Sequence, residues 1–83
     1  MTSAQFDRLS IGDQESLVSS HGEFIAARQE PEFVIQLFQF NSFYVELFYH
    51  QVKQHAIATR IFSDVNKLGP YFDSIDLSGL LEL

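Results

Sequence analysis

The chain contains no cysteine, which removes two common ways of stabilising a small domain. Without thiols it can form neither a disulfide nor a zinc site with thiolate ligands. Its 83 residues suffice for a single domain with a thin core, for which we expect a net stability of about 3–5 kcal/mol. Because small domains of this kind often gain stability from a second subunit, we expect a homo-oligomer, most simply a dimer.

Basic residues are also scarce, with five Lys and Arg against eleven Asp and Glu and a formal net charge of −6. Phosphate backbones and anionic membrane surfaces are bound through clustered basic side chains. The five in this chain are scattered along the sequence: Arg8, Arg28, Lys53, Arg60 and Lys67. We therefore expect neither nucleic acid nor a membrane surface as a partner.

Targeting signals and catalytic motifs are missing as well. The first seven residues have no basic segment followed by an apolar one, as a signal peptide would, and no lipidation motif is present, so we expect a cytoplasmic protein. Neither a Gly-x-Ser-x-Gly elbow, nor a phosphate-binding glycine loop, nor the spacing of a calcium loop occurs. No catalytic residue and no cofactor is predicted, and the sequence favours a non-catalytic role.

Histidine offers little for a metal site. His50 and His55 flank a polar turn at residues 51–54, where two imidazoles could begin one. A metal site needs a third ligand, and no acidic residue or histidine lies beside them in the sequence. We interpret both as solvated loop histidines and His21 as a helix C-terminal residue, and we predict no metal.

Apolar residues concentrate in residues 32–50, EFVIQLFQFNSFYVELFYH, which hold seven of the twelve aromatic residues. A transmembrane helix needs about 20 mostly apolar residues. The apolar part of the 32–50 stretch, residues 33–49, is shorter and contains five polar residues: Gln36, Gln39, Asn41, Ser42 and Glu46. Its Phe, Tyr, Val and Ile residues favour strands instead, and Asn41-Ser42 is typical of a turn.

The whole pattern predicts an α+β fold with an N-terminal helix, a four-stranded antiparallel meander and a short C-terminal helix. We assign residues 1–21 to the helical start, 22–63 to the sheet and 64–83 to a helical or turn tail, all in one domain. Strands are predicted at residues 23–28, 33–39, 43–50 and 56–62, from the period-two alternation and the turn signals between them.

Capping residues place the helices. Ser10 with Asp13 resembles a capping box, and His21-Gly22 supplies the end of that helix. An earlier turn around Phe6 and Leu9 can join it. In the tail, Ser63 or Asp64 can cap a helix whose apolar positions, Val65, Leu68, Phe72 and Ile75, are interrupted at Gly69-Pro70, where we expect a break.

Alternation also divides the strands into two faces. With an odd-length loop, Phe40-Asn41-Ser42, the apolar set lies under the helices: Phe33, Ile35, Leu37, Phe43, Val45, Leu47, Tyr49, Ile57 and Ile61. The other face then holds Val34, Gln36, Phe38, Tyr44, Glu46, Phe48, Ala58, Arg60 and Phe62. A two-residue Asn41-Ser42 turn would instead put Phe40 and Phe43 on one face, because a shift of one residue inverts a strand.

Six residues of this second set are the candidates for an interface or a ligand site: Phe38, Tyr44, Glu46, Phe48, Arg60 and Phe62. Aromatic rings mixed with arginine are enriched in protein interfaces. Three occupants of this face stay open: the N-terminal segment of the same chain, a second subunit, and another partner or small ligand.

Glu46 is the one acid inside the apolar stretch. If it is buried it needs a cationic partner, and Arg60 on the neighbouring strand is the natural candidate for a cross-strand pair. Such a carboxylate is either part of a structural ion pair or an acid, base or ligand anchor.

The residues Phe43-Tyr44-Val45-Glu46, Tyr49, Ile57, Arg60-Ile61-Phe62, Leu68-x-Pro70-Tyr71-Phe72 and Ile75-Asp76-Leu77 resemble those of a family of small uncharacterised bacterial proteins of similar length. The resemblance covers roughly residues 20–80. It implies a stand-alone bacterial α+β protein, but neither an activity nor a functional residue.

Three functions remain in view. The first is a non-catalytic interaction module, homodimeric through the second face or an edge strand. The second is a small-ligand binder or simple enzyme with a pocket at Tyr44, Glu46 and Arg60. The third is an acidic inhibitor or immunity-type protein, whose net charge would steer it to a basic target.

Overall fold

The computed structural model describes residues 1–52 and 54–71. Its elements are α1 (Ser3–Asp7), α2 (Ile11–His21), β1 (Glu23–Gln29), β2 (Phe33–Phe40), β3 (Phe43–His50), β4 (Ala56–Phe62) and a 3₁₀ helix (Val65–Tyr71). The predicted α+β order is confirmed, with the strands in one antiparallel meander, β1-β2-β3-β4. The predicted positions Phe72 and Ile75 and the rest of the tail lie outside the described residues.

Both N-terminal helices begin at a polar cap. The Thr2 hydroxyl accepts a hydrogen bond from the Gln5 N–H at 3.1 Å, and the Gln5 side chain accepts one from the Thr2 N–H at 2.8 Å, which is a complete capping box. The Ser10 hydroxyl accepts from the Asp13 N–H at 3.1 Å, so the predicted cap is confirmed. No helix within residues 1–52 and 54–71 has the length and apolarity needed to cross a membrane.

Gly22 ends α2, and its backbone lies very close to the last turn of that helix. Its N–H donates to the Val18 carbonyl at 2.8 Å, and a Cβ built on Gly22 would lie only 2.7 Å from that oxygen. No side chain fits at this distance. The helix therefore ends at the glycine that the sequence indicated.

The turn between β2 and β3 corrects the predicted facing of β2. Phe40 pairs with Phe43, so the loop is the two-residue Asn41-Ser42 turn and the preferred three-residue loop is wrong. Asn41 takes a positive φ of 53°, a conformation that asparagine adopts at lower cost than most residues. The shift of one residue puts Phe38 and Phe40 under the helices, and Phe33, Ile35 and Leu37 on the opposite face.

We call the side of the sheet that α1 and α2 cover the helix face. Its buried residues are Phe6, Val18, Phe38, Phe40, Phe43, Val45 and Leu47. The Phe6 ring, delivered by α1, lies 5.4 Å from the Phe40 ring and 5.6 Å from the Phe43 ring. This confirms Phe43, Val45 and Leu47 as core residues.

A bulge in β4 corrects another predicted core residue. Tyr49 pairs with Ala56 and Phe48 with Ala58, so Ile57 is an extra residue between them. As a result Ile57 is 37% exposed, whereas Ile61 packs against the helix-face core as predicted.

We call the other side of the sheet, which carries Leu37, Tyr44, Glu46, Phe48 and Phe62, the carboxylate face. The N-terminal segment does not cover it. Instead, Leu68 and Tyr71 of the 3₁₀ helix pack there against Ala26, Leu37 and Phe62. The fold thus has helical layers on both sides of the sheet.

The 3₁₀ helix begins at a capping residue and continues beyond Gly69-Pro70, where a break was expected. The Asn66 N–H donates to the Asp64 carboxylate at 2.9 Å, so Asp64 is the cap. The helix continues through Gly69 and Pro70 to Tyr71, so the interruption expected there does not occur before Tyr71.

Candidate functional site

Five of the six candidate residues lie together on the carboxylate face: Tyr44, Glu46, Phe48, Arg60 and Phe62. The sixth, Phe38, is buried in the helix-face core beside Phe24, at a ring distance of 5.6 Å. Its predicted place on the candidate surface is wrong because the two-residue turn inverts β2.

The aromatic candidates pack against neighbouring aromatic rings. Tyr44 stacks on Phe62 at 5.5 Å between centroids, and Phe48 packs edge-on against Phe33 at 6.3 Å. Phe62 is buried, while Tyr44 and Phe48 are half-buried. These rings form a layer over the sheet in which Glu46 is embedded.

Glu46 is the centre of the site and is only 2% exposed. Arg60 lies directly opposite it on β4, and the Arg60 Nη1 atom is 3.7 Å from the Glu46 Oε1 atom. The predicted cross-strand pair is confirmed. Arg60 is itself half-exposed and also lies over the Phe62 ring, 5.7 Å from the centroid.

Two further partners of Glu46 were missed in the sequence. The Tyr71 hydroxyl donates a hydrogen bond to Glu46 Oε2 at 2.6 Å, and the Arg28 Nη2 atom lies 3.5 Å from the same oxygen. Arg28 reaches Glu46 diagonally across β2, since its own register partner is Ile35. The sequence indicated only that Arg28 lies on the same face of β1 as Ala26, because the two residues are two positions apart in one strand.

Charges in this cluster balance. The guanidinium groups of Arg28 and Arg60 face the carboxylate of Glu46, and Arg28 also pairs with the exposed Glu30. Burial by itself lowers the pKa of Arg28. The hydrogen bond and electrostatic interaction with Tyr71, followed by the charges of Glu46 and Glu30, outweigh burial, so the pKa is raised. Arg28 stays charged under any physiological condition.

Tyr71 is held in its protonated form. Burial raises the pKa of its phenol, and the hydrogen bond to Glu46 and the charge of that carboxylate raise it further. Arg28 lies over the Tyr71 ring, 5.5 Å from the centroid, where a cation is attracted to the aromatic face. The phenol therefore remains a donor to Glu46 well above neutral pH.

Chemically, this arrangement suits a structural role better than catalysis. Both oxygens of Glu46 contact donors of the same chain, and the group is almost completely shielded from solvent. A general base or ligand anchor has to reach its substrate within hydrogen-bond distance. A ligand would first have to displace Arg60 or Tyr71.

Another polar cluster joins the helices to the sheet on the other side. Glu15 accepts hydrogen bonds from the Tyr49 hydroxyl at 3.1 Å and from the Ala56 N–H at 3.0 Å. Burial, followed by the charge of Glu15 and this hydrogen bond, raises the pKa of Tyr49 to about 12. The Thr59 hydroxyl donates to buried Gln14 at 2.7 Å. These contacts position α2 over β3 and β4.

The histidines do not assemble a metal site in the described part of the chain. His50 packs edge-on against Phe33, at 6.2 Å between ring centroids. The His55 side chain is 90% exposed and lies 3.9 Å from Glu15. Within residues 1–52 and 54–71 no three His, Cys, Asp or Glu side chains come together as a metal would need.

Three shallow depressions lie along the helices rather than over Glu46. One is lined by Met1, Leu9, Asp13, Ser16, Leu17, Ser20 and His21. The second lies between α1 and Ile61, and the third between α2 and His55. None of these three depressions includes Tyr44, Glu46 or Arg60 in its lining, so they do not support the predicted ligand pocket.

Comparison with known proteins gives no relative from which a role could be transferred. No protein-family model matches the chain, and neither a curated protein nor a solved structure matches it significantly.

Proposed function

We propose that this chain is a non-catalytic protein-interaction module that forms a homodimer. One observation carries the proposal: both outer strands of the sheet present a large apolar side chain to solvent, Phe24 of β1 at 58% exposure and Ile57 of β4 at 37%. Apolar surface that residues 1–52 and 54–71 leave uncovered at a sheet edge is typical of a contact site.

The polar interior supports the non-catalytic part of the proposal. Glu46 is a buried acid, and its contacts join β1, β4 and the 3₁₀ helix to the centre of the sheet. Its geometry stabilises the fold and leaves no carboxylate oxygen free for a substrate.

The expected thin core adds a thermodynamic reason for dimerisation. Net stability of a chain this short is about 3–5 kcal/mol, and pairing with a second subunit raises the stability of both by mass action. The proposed setting is the cytoplasm of a bacterium, which rests on the resemblance to small bacterial proteins and on the cysteine-free composition.

Sedimentation equilibrium of the full chain from low to high micromolar concentration tests the proposal. We expect a monomer–dimer equilibrium, weakened by Phe24→Asp or Ile57→Asp at one of the two edges. Val52→Asp is the matched control, since Val52 is also an exposed apolar residue but lies in the turn after β3. A monomer at every concentration contradicts the proposal.

The alternative function, a small-ligand binder, can be tested separately. A thermal-shift screen against metabolites should give no stabilisation that depends on Arg60, because the carboxylate between Arg60 and Tyr71 is already satisfied. A stabilising metabolite whose effect is lost in Arg60→Gln would favour a ligand site. The acidic-inhibitor alternative rests on the net charge of −6 alone.

A further inference from the structure

The outer edge of β4 is one of the two edges of the sheet, and β4 carries no acidic side chain. β4 (Ala56–Phe62) contains neither proline nor glycine, and its one charged residue is Arg60. Within residues 1–52 and 54–71, no strand pairs with its outer side. An open edge of strongly strand-forming residues is a template for another strand unless some device blocks it.

The other edge strand, β1, carries such devices. It has a bulge at Ile25, between Phe24 and Ala26. Its Arg28 side chain points inward to Glu46, and the 3₁₀ helix packs against β1. Bulges, inward-pointing charges and covering segments are the features by which proteins protect sheet edges. β4 shares part of this protection, because its Arg60 also points inward to Glu46 and α2 packs against its helix-face side. Its bulge lies at Ile57, and the Ala56 N–H is held by Glu15 of α2, so the open part of β4 is residues 58–62.

The charge of β4 favours a second copy of the same chain as its partner. Two chains that each carry a net charge of −6 repel one another over most of their surface. β4 contains no acidic residue, and its Arg60 is already paired with Glu46 of the same chain. At this strand two copies can therefore meet with the least repulsion.

We infer that β4 pairs antiparallel with β4 of a second copy, about a two-fold axis at Thr59. This register pairs residues 58–60 of the two copies, beyond the bulge at Ile57 and the Ala56 N–H that Glu15 already holds. It places Ala58 opposite Arg60 of the second copy, so the two guanidinium groups are not opposed. A register centred on Arg60 would oppose them, which destabilises a sheet.

The helical layer leaves this edge accessible. Ile57, Ala58 and Arg60 are exposed, and shallow depressions lie beside both ends of the strand, at His55 and at Ile61. A second β4 can approach without displacing α1 or α2. The two four-stranded meanders then form one continuous eight-stranded sheet with helices on the same side.

This inference rests on the proposed function, since it names the surface of the proposed homodimer. The test uses the full chain and charge changes at Ala58, measured as the dimer dissociation constant by sedimentation equilibrium. Ala58→Lys places a cation opposite Arg60 twice per dimer, and we expect roughly tenfold weaker dimerisation. Ala58→Glu places a carboxylate there, and we expect tighter dimerisation by a similar factor.

Ala27→Lys is the matched control, because Ala27 is an exposed alanine on the other edge strand, β1. It should leave the dissociation constant unchanged. Circular dichroism checks that each variant is folded. Amide hydrogen exchange of the unsubstituted chain gives an independent reading, since residues 56–62 should exchange more slowly as the dimer fraction rises.

Each result decides the question. Opposite shifts for Ala58→Lys and Ala58→Glu, with no shift for Ala27→Lys, support the β4 edge. A dimer that responds to neither Ala58 variant, or whose β4 amides are insensitive to concentration, overturns this inference and leaves the proposed homodimer standing. A monomer throughout, with the edge left open or covered by residues 72–83, overturns both.

Discussion

The two faces of the sheet are built on different physical principles. On the helix face, seven buried apolar residues from α1, α2, β2 and β3 pack without a charge among them. On the carboxylate face, the apolar cluster surrounds the buried Glu46. The same alternating strands supply both faces, but three charged strand residues, Arg28, Glu46 and Arg60, point to the carboxylate face, where the 3₁₀ helix adds Tyr71.

The comparison shows how much organisation each kind of core requires. Apolar groups need only to be removed from water, and many arrangements achieve this. A buried carboxylate needs partners in specific positions, and those of Glu46 come from three separate segments, at Arg28, Arg60 and Tyr71. The carboxylate face is therefore the more specific of the two, although its ion pairs add less net stability than apolar packing does.

Removing bulk from the helix face should have the largest effect. Phe43→Ala deletes a fully buried ring that contacts Phe6 and Phe40, and such a change costs about 3–5 kcal/mol. This equals the whole expected stability of about 3–5 kcal/mol, so the variant should be unfolded at room temperature. Circular dichroism during urea titration measures this. Val52→Ala, at an exposed position outside both sheet edges, should unfold close to the unsubstituted chain; equal losses would disprove the assigned core.

Breaking the carboxylate cluster should cost less but still weaken the fold. Glu46→Gln leaves Arg28 without its buried counter-charge, and we expect roughly 2–4 kcal/mol, less than for a completely buried pair because Arg60 is half-exposed. Glu30→Gln is the control, since its ion pair with Arg28 is exposed and should contribute about 0–1 kcal/mol. If both variants unfold at the same urea concentration, Glu46 has no special structural role.

Removing a single hydroxyl from the carboxylate face should have a smaller effect. Tyr71→Phe keeps the buried ring but deletes the donor to Glu46, and we expect a loss of about 1–2 kcal/mol in the free energy of unfolding. In Glu46→Gln the same change should cost less, because the charged acceptor is gone. A double-mutant cycle by urea unfolding measures this coupling, and additive losses would show that the two groups do not interact.

Alkaline pH should lower the free energy of unfolding through both faces, and this is the smallest effect that we expect. The pKa of Tyr49 on the helix face is raised to about 12, and that of Tyr71 on the carboxylate face is also raised, in both cases first by burial. Phenols in the unfolded chain titrate near their ordinary pKa of about 10, so the unfolded state loses protons first. The stabilisation is complete below about pH 10 and is lost as the pH rises towards 12.

Urea unfolding at pH 8, 10 and 11 should therefore show falling stability only above about pH 10. Tyr49→Phe and Tyr71→Phe should each reduce this fall, one for each face. A fall that is identical in the unsubstituted chain and the double variant would assign it to other groups.

Local chemistry was enough to predict the elements. The cap at Ser10, the end at Gly22 and the turn signal at Asn41-Ser42 depend on neighbouring residues, and the helices and strands begin and end close to where these signals lie. The Glu46–Arg60 pair was also predictable, because adjacent strands of a meander impose their register on one another. These features need no knowledge of the rest of the fold.

Which side chains meet depends on long-range packing. A difference of one residue in the β2–β3 loop moved Phe38 from the candidate surface into the core, and a bulge exposed Ile57. The contacts of Arg28 and Tyr71 with Glu46 join residues 18 and 25 positions apart. Period-two alternation is the same on either face of a strand, so the sequence by itself determined the strands, while turn length, bulges and long-range packing decided their faces and partners.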